Sequence, residues 1–222
     1  MKQFFSRWMS KNQKLKPVPM NPVLISAAGN PENQDRGLII QDGTRTVLCV
    51  ADGAGGRSGG AEAAAMAVDF VRQHMSTLSD GASSVELLRA MDAAIAHDSI
   101  AGETTFVLAV ATRETVFGAS VGDSGIWLVG GAGGYADLTI SQQRKPFIGS
   151  GSAWPVAFES RMNFGDLLLL ATDGLLKYTS SERIVETCRE QPIDSVAPRL
   201  IGLVRYQSGA LPDDVTVIVA PN

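Results

Sequence analysis

Val47-Leu48-Cys49-Val50-Ala51-Asp52-Gly53 and its echo, Leu167-Leu168-Leu169-Leu170-Ala171-Thr172-Asp173-Gly174, decide how this chain is read. Each is an uninterrupted apolar run that ends on an Asp-Gly pair. Apolar residues at every position, rather than at alternate ones, describe a strand covered on both faces. An Asp at the end of such a strand stands where the core meets an edge or a cleft, and packing gives no reason for it. Asp-Gly is also a favoured hairpin-turn dipeptide, and for either copy alone the two readings are evenly matched. The neighbours separate them. Asp52 is followed by Gly53-Ala54-Gly55-Gly56-Arg57-Ser58-Gly59-Gly60, too long and too rich in Gly for a two-residue turn, and then by an Ala-rich helical stretch. Asp173-Gly174 leads through Leu175-Leu176-Lys177-Tyr178 to Ser180-Ser181-Glu182, a helix start with a capping residue.

Further acids occupy comparable junctions. Asn33-Gln34-Asp35 precedes the strand-like Leu38-Ile39-Ile40, and Gly122-Asp123-Ser124 separates the strand-like runs Thr115 to Val121 and Ile126 to Val129. Pro212-Asp213-Asp214 immediately precedes Val215-Thr216-Val217-Ile218-Val219. If these junctions converge, four or five carboxylates share one cleft, and like charges that close cannot all stay ionised without compensation. A hard divalent cation resolves the conflict. Oxygen donors without a Cys or His cluster favour Mg²⁺ or Mn²⁺, with Ca²⁺ a lesser alternative, and argue against zinc. His74 and His97 both fall inside helical patterns, where packing or surface roles outweigh ligation.

At this point the ordered set Asn33-Gln34-Asp35-Arg36, Val50-Ala51-Asp52-Gly53-Ala54-Gly55-Gly56, Thr104-Thr105, Val121-Gly122-Asp123-Ser124, Leu169-Leu170-Ala171-Thr172-Asp173-Gly174 and Asp213-Asp214-Val215-Thr216-Val217 resembles the metal-dependent protein phosphatases of type 2C, in a short, bacterial-type form. The match runs from about residue 22 to residue 220, and the order of the motifs is more specific than any one of them. The resemblance implies an α+β fold, a four-layer αββα sandwich with two central antiparallel β-sheets flanked by helix pairs. It implies hydrolysis of phosphoserine and phosphothreonine by water activated at a dinuclear Mn²⁺ or Mg²⁺ centre, with a third ion in the bacterial branch. Carried over motif by motif, Asp52 is the bridging ligand and Gly53 offers a carbonyl oxygen. Asp173 and Asp213 complete the first metal, Asp123 and Asp173 hold the third ion, and Asp35 orients the attacking water beside Asp52. Asp214 is read as an outer-shell group.

The chain departs from the pattern at four places. Gln34 stands where many members have a Glu ligand, leaving a weak ligand or an outer-shell group. Asn30 stands where many have a phosphate-clamping Arg, so substrate affinity is expected to fall by on the order of tenfold unless Arg36, Arg57 or Arg144 substitutes, and Asn30, Arg36 and Arg57 are the candidate phosphate contacts. Gly125 replaces the Arg that usually follows Gly-Asp-Ser, and the interval from Asp123 to Asp173 is short, which implies a reduced flap over the site. Asp52, Asp173 and Asp213 are all retained, which favours catalysis over the alternative, a pseudophosphatase that binds phosphoproteins or regulates them. A hydrolase of small phosphomonoesters or nucleotides is disfavoured, because Gly53-Ala54-Gly55-Gly56 lacks the Lys that a phosphate-binding P-loop needs.

Composition is consistent with this reading. A chain of 222 residues that is 45% hydrophobic can bury one sizeable core, so residues 22–222 are read as a single domain. A net charge of −4 argues against nucleic acid as a partner. The partner implied instead is a phosphorylated protein, either the target of a serine/threonine kinase or such a kinase itself, in signal transduction. Cys49 and Cys188, far apart in sequence, suggest free thiols in a reducing, cytoplasmic setting. No apolar run reaches the length of a membrane span, and the start shows no secretory signal. Residues 1–21 form a basic tail with Phe4, Phe5, Trp8 and Met9 among its lysines, read as flexible and able to touch a partner or a membrane surface. Helices are expected over Gly60 to Met75, Val85 to His97, Ser181 to Arg189 and Ile193 to Ser208, with a hairpin through Arg113-Glu114. Gly130 to Gly165 is expected to be the least regular segment.

Overall fold

The structure, a computed structural model, describes residues 20–54, 58–131, 133–190 and 192–222. The basic stretch up to residue 19, and Arg57, lie outside the described residues. Two antiparallel five-stranded sheets face each other. One has the order β1 (Val23–Ala27), β10 (Val215–Pro221), β9 (Leu167–Ala171), β6 (Gly125–Val129), β7 (Tyr135–Asp137). The other runs β2 (Asp35–Asp42), β3 (Arg45–Asp52), β4 (Phe106–Ala111), β5 (Thr115–Val121), β8 (Val156–Arg161). Helices α1 (Gly60–His74) and α2 (Gly81–Ala96) cover the second sheet, and α4 (Ser181–Cys188) and α5 (Val196–Val204) cover the first. The result is the αββα sandwich.

The unbroken apolar runs follow from this layering. On β9, Leu168 and Leu170 enter the layer between the sheets, while Leu167, Leu169 and Ala171 face α4 and α5. On β3, Leu48 and Val50 point to the same inter-sheet layer, while Val47, Cys49 and Ala51 face α1 and α2. Successive side chains point to opposite faces, and both faces are dry, so no position between Val47 and Ala51 is left for a polar residue. Cys49 and Cys188 are buried free thiols in different helix layers.

One local choice sets the position of the site. Strands β2 and β3 are joined by Gly43-Thr44, with Gly43 at φ +61° and Thr44 without positive φ, the pattern of a II′ hairpin turn. That turn fixes the register Asp42↔Arg45, and seven residue pairs later the same register puts Asp35 opposite Asp52.

The helix over Val85 to His97 begins earlier, at Gly81, because Asp80 caps it. The Asp80 side chain accepts from Ser83 N, and Ser83 Oγ accepts from Asp80 N. The helix expected over Ile193 to Ser208 is shorter: a 3₁₀ turn at Ile193–Ser195 precedes α5, which ends at Val204. Gly130 to Gly165 is more regular than its composition suggests, since it contains β7 and β8. Both are edge strands, each supported by a single neighbour, and edge strands need no long apolar run. Leu170→Ala should cost about 3 kcal/mol of stability by opening a cavity between the sheets, measurable as a lowered urea midpoint with an unchanged slope.

Candidate metal centre

The Gly after each strand-terminal Asp is required by close approach rather than by a turn. Neither Gly53 nor Gly174 has positive φ. A Cβ on Gly53 would lie 2.3 Å from the carbonyl oxygen of Gly60, and one on Gly174 would lie 1.9 Å from that of Asp214. Only a missing side chain lets the β3–α1 junction fold onto the start of α1, and α3 (Asp173–Leu176) press against the segment that carries Asp213 and Asp214.

These approaches bring the acidic junctions together. Asn30, Gln34, Asp52, Gly53, Asp123, Asp173, Asp213 and Asp214 all line one cleft of about 210 Å³. Thr105 and Phe147 line it too. Phe147, directly after Gln142-Gln143-Arg144-Lys145-Pro146, is a lining residue that sequence reasoning misses. A larger cavity of about 410 Å³, which includes Asp166, Arg189 and Asn222, shares no residue with the acid cleft and carries Asp166 as its one acidic lining residue among those described.

Asp35 lies behind Asp52, almost fully buried. Thr172 Oγ1 donates to Asp35 Oδ2 at 2.8 Å and accepts from Thr216 N at 2.9 Å, so the amide leaves the hydroxyl proton for Asp35. Asp35 Oδ1 is buried without a hydrogen-bond partner. Burial pushes the Asp35 carboxyl up to about 7, against the hydrogen bonds from Thr172 and Thr216 and with the help of Asp214 and Asp173. Asp52 is pushed up to about 9, by burial first and then by the charges of Asp35 and Asp173, with a smaller contribution from Asp123. Asp173 is raised by burial and by Asp123 and Asp213, opposed by a hydrogen bond with Asp52 and by Lys177. Three carboxylates are thus held where they resist ionisation, which a divalent cation would reverse.

The other acidic residues differ. Asp214 accepts from the backbone amides of Gly29 (2.8 Å), Asn30 (3.0 Å) and Gln34 (2.9 Å), so its carboxylate clamps the loop before β2. Asp213 Oδ1 accepts from Asn30 Nδ2 at 3.1 Å, which ties Asn30 to an acid of the cleft. Gln34 lies over the start of α1, where a Cβ on Gly60 would meet its Oε1 at 3.0 Å. Arg36 does not reach the cleft: its Nη1 donates to the carbonyls of Asn33 (2.7 Å) and Asp35 (2.8 Å) and braces the loop. Arg144 forms an ion pair with Asp123 at 2.8 Å. Asp52 and Asp123 are joined indirectly: Thr105 Oγ1 accepts from Asp52 N at 3.2 Å and shares a 2.7 Å hydrogen bond with Ser124 Oγ.

The donor set fits a hard divalent ion. Carboxylates and the side-chain amides of Asn30 and Gln34 line the cleft, with no Cys or His among its described lining residues. Among the described residues no three acidic, Cys or His side chains close into a ready-made cage. The carboxylates line the walls of the cleft, an arrangement that leaves room for water to complete each ion's coordination, as Mg²⁺ in particular requires.

An αββα sandwich with an acid-lined cleft at its strand ends is the class of scaffold that the fold and the site define. Residues 27–197 match the sequence profile described as Protein phosphatase 2C, and the chain belongs to that family. Among solved structures, a bacterial serine phosphatase superposes with a TM-score of 0.79 at 22% identity, over 90% of this chain and 97% of that one. The serine/threonine phosphatase Stp1 from Staphylococcus aureus gives 0.77 at 19% identity, over 93% and 96%. The catalytic domain of the serine threonine protein phosphatase PstP, in complex with 2 manganese ions, gives 0.72 at 21% identity, over 91% and 97%. Among curated protein sequences none matches this chain.

The raised carboxyls set a pH dependence for the metal-free protein. A carboxyl whose folded pKa lies above its unfolded value near 4 favours folding while it is protonated. That contribution is intact below about pH 4 and is lost as pH rises through the folded values near 7 and 9. Asp52→Asn removes one such group. In excess chelator its melting temperature should exceed that of the parent protein by a margin that grows between pH 5 and pH 9, and Mn²⁺ should stabilise the parent protein more than the variant. A margin independent of pH would show that Asp52 is not held under this strain.

Proposed function

We propose that this chain is a protein serine/threonine phosphatase that hydrolyses phosphoserine and phosphothreonine with the assistance of two divalent ions, Mn²⁺ or Mg²⁺. The observation that carries the reading is the convergence of Asp52, Asp123, Asp173 and Asp213, from four separate junctions, on one cleft. Family membership supports it, as does PstP with its two manganese ions. In this reading Asp52, the Gly53 carbonyl, Asp173 and Asp213 hold the two ions, with Asp123 and Asp173 available to a third. Bound there, such ions would lower the pKa of water and neutralise charge on the phosphoryl group.

The chain's own residues supply the rest. Asp52 and Asp173 lie within hydrogen-bonding reach of each other, so one group of charges can serve both ions. Asp35, fixed by Thr172 and buried opposite Asp52, is the orienting residue, acting on the water through its neighbour rather than from the cleft wall. Asp214 holds the loop carrying Asn30 and Gln34 in place, and Gln34 contributes an amide oxygen without charge. A phosphorylated protein is the substrate, placing the chain opposite a serine/threonine kinase. Residues 22–222 act as one domain. Among the described residues no helix is long and apolar enough to cross a membrane.

Mn²⁺-dependent dephosphorylation of a phosphopeptide panel, with and without chelator, tests the assignment. Asp52→Ala and Asp173→Ala should each lower kcat by about three orders of magnitude while retaining the folded circular dichroism spectrum, since neither side chain belongs to a hydrophobic cluster. Retained turnover in either folded variant would refute the dinuclear reading.

The site also lacks a guanidinium at position 30. Asn30→Arg should lower KM for a phosphopeptide by about tenfold while changing kcat much less, because a guanidinium binds the ground-state dianion as well as the transition state. Since Asn30 Nδ2 already contacts Asp213, the contrary result, weaker Mn²⁺ binding with no gain in KM, would show the new guanidinium captured by that carboxylate.

A further inference from the structure

The segment Gln142-Gln143-Arg144 lies along Gly122-Asp123-Ser124 through three different contacts. Gln142 Nε2 donates to Ser124 O at 2.7 Å, Gly122 N donates to Gln143 O at 2.9 Å, and Arg144 Nη2 meets Asp123 Oδ2 at 2.8 Å. The first two hold the segment in place by neutral hydrogen bonds. The third delivers a full positive charge to a carboxylate of the acid cleft. With Lys177, Arg144 also lines a hollow of about 270 Å³ whose acidic walls are Asp123 and Asp173. That hollow and the cleft share both acids.

We infer that Arg144 is a resident counter-ion for Asp123, carried there by the Gln142-Gln143 strap, and that a further divalent ion at Asp123 and Asp173 must displace it. The inference rests on reading the acid cleft as a metal centre. Two carboxylates offer an incoming divalent ion two negative charges; Lys177 already acts on Asp173, and the paired guanidinium offsets the charge of Asp123 as well. The ion pair of Arg144 is with Asp123, which is not a ligand of the core pair, so its effect falls first on the further ion. The Arg144 side chain is 73% exposed against 22% for Asp123, so the ion pair is partly solvated and its effect is moderate. It weakens the additional ion by severalfold and does not forbid it. Because the neutral contacts remain when the pair opens, the guanidinium stays close and recloses when the ion leaves.

Mn²⁺ titration of chelator-treated protein by calorimetry, with bound Mn²⁺ counted by electron paramagnetic resonance, tests this on the parent protein, Arg144→Gln and Arg144→Lys. Arg144→Gln should tighten the weak class of sites about fivefold and leave the tight class unchanged, while Arg144→Lys should stay near the parent protein. The difference should shrink at high salt, because screening already weakens a partly exposed ion pair. Equal weak-site affinity in the parent protein and Arg144→Gln, a loosened weak class, or a shift confined to the tight class would each overturn the inference. If none of the three proteins binds Mn²⁺, the metal-centre reading fails, and this inference with it. Matched melting curves of the metal-free proteins control for folding.

Discussion

Carboxylates gathered at one end of a dry sandwich repel one another and resist losing their hydration, and the rest of the structure works against that tendency. Asp35 and Asp52 face each other across a hairpin whose register is fixed far away at Gly43-Thr44. Asp173 is driven against the same cleft by a strand with both faces buried. The packing of three apolar layers supplies the stability that holds these groups together, since each buried aliphatic side chain contributes on the order of 2 kcal/mol. Site and core are thus thermodynamically opposed, and the positions that burden the fold are those that the proposed chemistry needs.

The acids of this chain fall into two physical kinds. Asp92 accepts from Gly149 N (2.7 Å), Gly151 N (3.0 Å) and Ala153 N (2.9 Å), pinning the loop that leads out of Phe147 onto α2. Asp214 does the same for the loop before β2, and Asp166 accepts from Asn163 and Gly131. These carboxylates are satisfied by backbone amides and organise loops. Asp35, Asp52 and Asp173 are of the other kind, pushed up by burial and by one another, with an oxygen of Asp35 left unpartnered. Hydrogen-bond satisfaction, rather than burial alone, distinguishes an acid that builds the scaffold from one free to serve a ligand.

The departures from the family pattern also acquire a physical setting. Asn30 binds Asp213 with its side chain and Asp214 with its backbone amide, so the position is integrated into the acid network. Arg36 braces backbone carbonyls, and Arg144 pairs with Asp123, so the guanidinium that meets a cleft acid comes from the Gly130 to Gly165 segment rather than from the start of β2.

Much of the layering was legible in the chain itself. Apolar residues at consecutive positions in Val47 to Ala51 and Leu167 to Ala171 require strands with two dry faces, and acids placed just beyond such strands mark their exits; both are local patterns tied to the two-residue period of a strand. Edge strands β7 and β8 lacked that signal, because an edge needs only one neighbour, and the first turn of α2 was fixed by a cap upstream of the apolar pattern. The role of Gly53 and Gly174 was beyond sequence reasoning. Asp-Gly denotes a turn as readily as a close approach, and the carbonyls that forbid a Cβ there belong to Gly60 and Asp214, one of them forty residues away along the chain. The same holds for Arg36, Arg144, Asp92 and Phe147. Which charge meets which backbone amide or carboxylate depends on how distant loops stack at the end of the sandwich, and only the packed sheets determine that.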